Sequence, residues 1–373
     1  MQILDIKKIE LEITSDCNAA CPGCARTPNK DKLQIRSFGL EDLKRLFPTR
    51  DHIDKKIFKF CGVLGDPAMN VECLPMVEYL TANGGWCQLS TNGGVQKAEW
   101  WAALGKLSAE TKSVDVNFCV DGHRETNHIY RINTKFDVID RNMQAYADGG
   151  NGQASASWIF IVFDHNEYEL ETAKEHAERL GFRFATRTGM RNSYHNWVSA
   201  VKVKNPETKK LEEKVSVITT SKDNEHKEKE AVLAIDKAIY NLQNVTAKAA
   251  VAKTNSTEIK QAVEQVKQIA NTITCKFVHE GEIFIAADQR MWPCCFLWDS
   301  SFLNKEKIND KLSIYGGDWN DLTVHSIEEV LAHPWFEQIL AESWDPTHNL
   351  HLTRCLKTCG LNKSYQNKIV YTQ

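Results

Sequence analysis

The chain has 373 residues, with 46 basic against 49 acidic side chains and a net charge of −3. That length suits one large α/β domain or two domains, and the balanced charge gives no indication of nucleic-acid binding by bulk electrostatics. The longest clear apolar run, Trp158 to Phe163, falls well short of the roughly 18 residues needed to cross a bilayer. The opening MQILDIKKIELEI alternates apolar and charged residues and has no signal-peptide pattern, so a cytoplasmic protein without a membrane span is expected. In that compartment 12 cysteines point to metal binding or catalysis rather than a disulfide framework.

Taken in chain order, the first 190 residues repeat a β-rich run, a loop and a helical pattern, the signature of βα units around a parallel sheet. Strands are predicted at Ile9–Thr14, Ile57–Val63, Cys87–Thr91, Val114–Val120, Ser157–Phe163 and Phe182–Thr186. Helices are predicted at Leu40–Phe47, Leu74–Ala82, Ala98–Leu104, Phe136–Asp148 and Glu167–Leu180. The natural closure is an open or partial barrel with its chemistry on the loops after the strand C-terminal ends. From Lys202 to Glu230 charges of both signs accumulate around Pro206, which reads as a solvated connection or a hairpin. Two amphipathic helices follow, one with Val232, Ile235, Ile239 and Leu242, the other with Ile259, Val263, Val266, Ala270 and Ile273. Asn255 and Glu258 are placed like an N-cap and its reciprocal partner. A helical hairpin is the expectation, packing on the barrel or gripping a substrate. After Cys275, GEIFIAADQRMWPCC reads as a strand-turn-strand, followed by a helix over Ile327–Ala341. The domains expected are therefore 1–201, 202–274 and 275–373.

CNAACPGC brings Cys17, Cys21 and Cys24 together directly after the first strand. Three soft thiolates at this spacing suit an iron-sulfur cluster, and no nearby Cys or His completes a usual zinc set. Three thiolates on a cubane leave one iron open to another ligand. Here the chain resembles the radical S-adenosylmethionine (radical SAM) superfamily, whose hallmark is CxxxCxxC after the first strand of a partial (β/α)6 barrel. The resemblance implies a 4Fe-4S cluster whose open iron binds S-adenosylmethionine, and hydrogen-atom abstraction by a 5′-deoxyadenosyl radical.

Further landmarks follow the family's order. FCGVLGDP is similar to its glycine-rich loop, with Gly62, Gly65 and Asp66 toward the amino end of the cosubstrate. STNGG sets Ser90, Thr91 and Asn92 at the third strand's mouth. In VNFCVDGHRETNHIYR, Asn117, Cys119 and Asp121 lie near the cosubstrate by correspondence, and Arg131 binds its carboxylate or a substrate anion. Asn166 stands beyond the fifth strand, and Arg187 and Arg191 after the sixth are placed to hold a substrate carboxylate or phosphate. Two departures stand out: Gly23 replaces the usual aromatic before the third cysteine, and Cys119 replaces the usual serine. Cys119 and Cys61 are candidate hydrogen-atom donors, the alternative being small core residues.

Cys275, Cys294, Cys355 and Cys359 are similar in arrangement to the ligands of the family's twitch domain, the short form of the SPASM extension, which holds an auxiliary 4Fe-4S cluster. Cys295 is the alternative to Cys294, and a zinc knuckle is the alternative to the cluster. Trp292, Trp298, Trp319, Trp335 and Trp344 surround this group, as a shield or as core. The fold expected is α/β: a partial (β/α)6 TIM-type barrel, a helical-hairpin insertion and a small C-terminal α+β twitch-like domain. The activity implied is radical modification of a peptide or protein side chain, fed by a flavodoxin- or ferredoxin-type donor. The alternatives are a sugar- or aminocyclitol-type small-molecule dehydrogenase and a non-catalytic redox sensor.

Overall fold

Alternation of apolar and charged residues in IELEI makes β1 (Lys8–Leu11), whose Ile9 and Leu11 are fully buried while Glu10, and Glu12 just past its end, alternate with them. In the computed structural model, which describes residues 2–187, 197–204, 211–218, 233–244, 256–361 and 370–371, the chain divides into two units. One comprises Glu10–Asn224 with Asn367–Gln373, the other Met1–Ile9 with Glu225–Gln366. No helix among the described residues is long and apolar enough to cross a membrane.

The first unit runs α1 (Leu40–Leu46), β2 (Ile57–Phe60), α2 (Cys73–Ala82), β3 (Trp86–Thr91), α3 (Ala98–Thr111), β4 (Val114–Cys119), α4 (Asn127–Tyr130), α5 (Phe136–Gly149), β5 (Ser155–Ile161), α6 (Leu170–Arg179) and β6 (Arg183–Arg187). Its strand order is β1-β2-β3-β4-β5-β6, with β2 to β6 pairing in parallel. Each strand lies beside its predecessor with a helix between, which is the winding of a partial (β/α)6 barrel. A C-terminal strand, Val370–Tyr371, adds antiparallel to β6.

The two faces of the sheet differ in chemistry. Phe58, Phe60, Leu89, Val116, Phe118, Trp158 and Phe160 are buried at alternate positions. Phe118 meets Trp101 of α3 at 5.2 Å and Tyr146 of α5 at 5.7 Å between ring centroids, so this face is the helix-covered core. The intervening positions carry Glu10, Glu12, Lys59, Cys61, Gln88, Ser90, Asn117, Cys119 and Ser157. A polar row across a parallel sheet is costly to bury without a role.

The charged stretch after β6 forms an antiparallel pair, β7 (Trp197–Lys204) with β8 (Leu211–Ile218), so of the two readings the hairpin holds. Pro206 and Arg191 lie outside the described residues.

In the second unit, helices α7 (233–244) and α8 (Ser256–Ala270) bury Ile235, Ile239, Val266 and Ile269; Val232 and Asn255 lie outside the described residues. Both helices group with the C-terminal residues. Cys275 precedes α9 (Lys276–Glu280), and β9 (Glu282–Ile285) turns back into β10 (Met291–Trp292). There follow α10 (Cys295–Phe302), α11 (Ile308–Leu312), α12 (Ile327–Leu331), α13 (Leu340–Glu342) and α14 (Thr353–Cys359). The single helix expected over Ile327–Ala341 is broken. Ser326 and Glu329 form a reciprocal cap at its start, but Pro334 cannot donate to the ladder, and a π-turn at Trp335–Ile339 follows it.

Candidate functional site: two cysteine-lined centres

The first centre is the loop after β1. Asp16 Oδ1 accepts from the Cys17 amide at 2.8 Å, Thr27 Oγ1 donates to the Cys21 carbonyl at 2.8 Å, and the Cys24 amide donates to that same carbonyl at 3.0 Å. These bonds fold the loop on itself. Cys21 is buried in an apolar cluster with Ala19, Tyr130, Ile161 and Phe163, and Cys17 and Cys24 pack against it. Each thiol meets a different element. Asn92 Nδ2 lies 3.9 Å from Cys17 Sγ, an Arg131 guanidinium nitrogen lies 3.9 Å from Cys21 Sγ, and Cys24 Sγ lies 3.9 Å from the Val63 carbonyl. Burial pushes the Cys17 thiol up to about 12, helped by Asp66, and pushes Cys21 up to about 11 against the pull of Arg131.

The glycine-rich loop approaches this cysteine loop through its backbone. A Cβ on Gly65 would overlap the Thr14 carbonyl, and one on Gly62 would overlap Gly65. The amides of Leu64 and Gly65 donate to buried Glu12 at 2.7 and 3.3 Å, and the Asp66 amide donates to the Asp16 carbonyl at 2.8 Å. Glu12 is a site residue that sequence reasoning missed; its signal was a carboxylate at the polar position of the first strand.

Asp66, expected toward the amino end of the cosubstrate, is engaged by the protein on both oxygens. Oδ1 accepts from Ala68 N at 3.0 Å and Thr91 Oγ1 at 2.8 Å, and Oδ2 accepts from Asn92 N and Nδ2 at 2.8 Å each. A carboxylate has about four acceptor directions, and all are spent here. Thr91 and Asn92 belong to the same bracket, Asn92 also reaching Asn18 at 2.8 Å and accepting from Gly94 N at 2.8 Å. Asn166 is likewise structural: it accepts from Phe163 N at 2.7 Å and donates to the carbonyls of Asp121 and Ile161 at 3.0 and 2.9 Å, tying the ends of β4 and β5. These four residues place the site rather than offering it free groups.

Ser90 and Asn117 face each other across β3 and β4. Arg131 Nε sits 2.6 Å from buried Asp121 Oδ2, whose other oxygen accepts from Ile161 N at 2.8 Å, so Arg131 is held before any ligand arrives. Burial raises the Asp121 carboxyl and Arg131 draws it back. Cys119, half-buried at the end of β4, has its thiol raised by burial and lowered by Arg131 and Arg187. Arg187, opposite Ile161 at the end of β6, buries its Nε without a hydrogen-bond partner among the described residues. Cys61 Sγ lies 3.9 Å from Glu10, which pairs with Lys59 at 2.6 Å.

The second centre is a cavity of about 220 Å³ lined by Cys275, Cys294, Cys355 and Cys359; Cys295 does not line it. Cys355 and Cys359 are four residues apart on α14 and share a face. Burial raises the Cys294 thiol, and Cys275, Cys355 and Cys359 add to it; Cys359 is pushed up to about 12 by burial and Cys275, against Lys276 and Arg354. Buried Glu282 binds Lys8 at 2.8 Å and Lys276 at 3.0 Å on the cavity wall. Among the described residues no group of three or more His, Cys, Asp or Glu is gathered closely enough to hold one metal ion. A structural zinc site draws its thiolates to about 2.3 Å of one ion, whereas these four thiols are distributed around the wall of the cavity. The donor sets at both centres, several thiols converging in a loop or on one cavity, fit a soft-ligand group.

No protein-family model and no curated protein matches this chain. Solved structures similar to it include the following three. SuiB of Streptococcus suis bound to S-adenosylmethionine has a TM-score of 0.48 at 10% identity, covering 86% of this chain and 67% of its own. SuiB bound to its precursor peptide SuiA has 0.48 at 11%, covering 93% and 66%. Native anSMEcpe with bound AdoMet and the Cp18Cys peptide has 0.46 at 12%, covering 95% and 88%. The fold of this chain, α/β with a partial (β/α)6 barrel, follows from its own strand order, and its CxxxCxxC loop at the mouth of that barrel makes it similar to the radical SAM superfamily.

Proposed function

We propose that this chain is a radical SAM enzyme acting on a peptide or protein side chain. The observation that carries the reading is the joining of buried Cys21 and half-buried Cys17 and Cys24 to the glycine-rich loop Gly62–Asp66 at the C-terminal ends of the barrel strands. When bound there, a 4Fe-4S cluster supplies the electron, drawn from a flavodoxin- or ferredoxin-type donor, that splits S-adenosylmethionine to the radical that abstracts a substrate hydrogen atom.

The chain's own residues do the remaining work. Gly62 and Gly65 let backbone come close to the cosubstrate, and Asp66, Asn92 and Asn166 hold the loops that frame it. Ser90 and Asn117 offer polar groups in the barrel interior. Arg187, whose Nε has no partner among the described residues, receives an anionic group of the substrate, and Cys119 and Cys61 are thiols placed to return a hydrogen atom to a carbon radical. Apolar walls from Tyr130, Ile161 and Phe163 exclude water from the thiol loop. The peptide reading draws on the β7–β8 pair: β7 runs beside α4, the helix that ends at Arg131, and a two-stranded edge offers an extended chain backbone partners. Cys275, Cys294, Cys355 and Cys359 hold an auxiliary 4Fe-4S cluster in this reading.

Iron and sulfide analysis tests both centres. Anaerobically reconstituted protein is expected to bind two clusters, Cys17/Cys21/Cys24→Ala to lose half of the iron, and Cys294/Cys355/Cys359→Ala to lose the other half. S-adenosylmethionine is expected to change the electron paramagnetic resonance (EPR) signal only where the N-terminal cysteines remain. Full iron in the first variant, or a signal indifferent to S-adenosylmethionine, contradicts the reading.

A further inference from the structure

In the second unit, two buried N–H donors left without partners stand on the wall of one cavity. The Nε of Arg354 and the Nε1 of Trp344 have no hydrogen-bond partner among the described residues, and both residues line the cavity shared by Cys275, Cys294, Cys355 and Cys359. Arg354 is already anchored. One terminal nitrogen donates to Asp299 Oδ2 at 3.3 Å, and the guanidinium carbon sits 5.7 Å from the centroid of Phe296, itself a wall residue. Asp299 is in turn fixed by Lys305 at 3.0 Å. These contacts set the guanidinium plane and leave Nε–H unspent beside Cys355. Lys8 and Lys276 also line the cavity, but Glu282 engages both ammonium groups.

Burying a donor without an acceptor costs about 1–3 kcal/mol, and native structures leave few such groups without a reason. Two on one thiol-lined wall indicate acceptors that arrive with the group the thiols hold. Sulfur is such an acceptor, and hydrogen bonds to cluster sulfurs favour the more negative, reduced form. We propose that Arg354 Nε–H and Trp344 Nε1–H donate to the sulfurs of the auxiliary cluster and raise its reduction potential. This rests on the reading of the four cysteines as cluster ligands. Arg354 and Trp344 are then tuning residues that act through the cluster and do not touch the substrate.

The test uses full-length protein carrying Cys17/Cys21/Cys24→Ala, so that only the C-terminal cluster remains, titrated potentiometrically with EPR detection. Arg354→Met and Trp344→Phe are each expected to lower the midpoint potential at unchanged iron and sulfide content, and the double variant to lower it further. Arg354→Lys, which keeps the charge but lacks the Nε–H, is expected to fall as well. Should Arg354→Met fail to hold iron, Trp344→Phe decides alone. Unchanged potentials at full iron overturn the proposal, and so does a drop in Arg354→Met that Arg354→Lys fully restores with Trp344→Phe unaffected. Absence of iron from the parent variant contradicts the cluster reading instead.

Discussion

Arg131→Ala is expected to lower the melting midpoint of the barrel unit by on the order of 10 °C. The substitution leaves the Asp121 carboxylate, which is fully buried, without the guanidinium that stands 2.6 Å away. Removing one partner of a buried ion pair costs about 3–5 kcal/mol, because the remaining charge is neither solvated nor paired, and for a unit of some 200 residues each kcal/mol is worth about 2–4 °C. Asp121→Asn in the same chain removes the stranded charge while keeping an acceptor for the Ile161 amide, so the double variant is expected to recover most of the loss. Thermal unfolding followed by circular dichroism reads both. An Arg131→Ala midpoint equal to that of the parent would show that the pair is not a determinant of stability. Arg131 also draws down the Cys21 thiol, so the same variant is expected to take up less iron.

Asp66→Asn is expected to reduce 5′-deoxyadenosine formation by on the order of 100-fold, the usual cost of about 1 Å of misplacement at a reacting centre. The amide group turns an NH₂ toward two donors: Thr91 Oγ1 and Ala68 N keep the oxygen they already share while Asn92 N and Nδ2 face the NH₂, or the reverse. Asn92 then loses the bond that holds its side chain between Asn18 and Cys17. Each buried donor stranded this way costs about 1–3 kcal/mol. A steady-state assay at saturating S-adenosylmethionine, with iron content matched to the parent, separates placement from cluster loss. Parental turnover in Asp66→Asn would remove Asp66 from the positioning machinery.

The barrel was legible because its strands obey a period of two that helices cannot mimic, as in Phe58/Phe60 against Lys59/Cys61 and Val116/Phe118 against Asn117/Cys119. The thiol loop was legible because three cysteines at that spacing fit little else. The work of Asp66 and Asn166 was not legible. A polar residue in a glycine-rich loop looks the same whether it serves a ligand or a neighbouring backbone, and the partners that decide the matter lie 25 residues away at Thr91 and 45 away at Asp121. The grouping of helices also rests on distant contacts. The charge-rich stretch after Lys202 marked a change in composition, whereas helices 233–244 and Ser256–Ala270 group with the C-terminal cysteines through contacts distant in sequence. Pro334 was a readable helix breaker, and the apolar spacing on either side of it masked the interruption. Val370–Tyr371 gave too short a run to read as a strand, yet it pairs with Thr186 and Ala185.

Deoxyadenosine formation by anaerobically reconstituted protein given S-adenosylmethionine and dithionite is the most direct test of the central claim, that Cys17, Cys21 and Cys24 initiate radical chemistry. The account predicts 5′-deoxyadenosine from the parent, none above background from Cys17/Cys21/Cys24→Ala, and retained formation in a chain lacking Cys294, Cys355 and Cys359 whose N-terminal iron is intact. Equal formation in the parent and in the N-terminal triple variant, or none in a parent fully loaded with iron and sulfide, would contradict it.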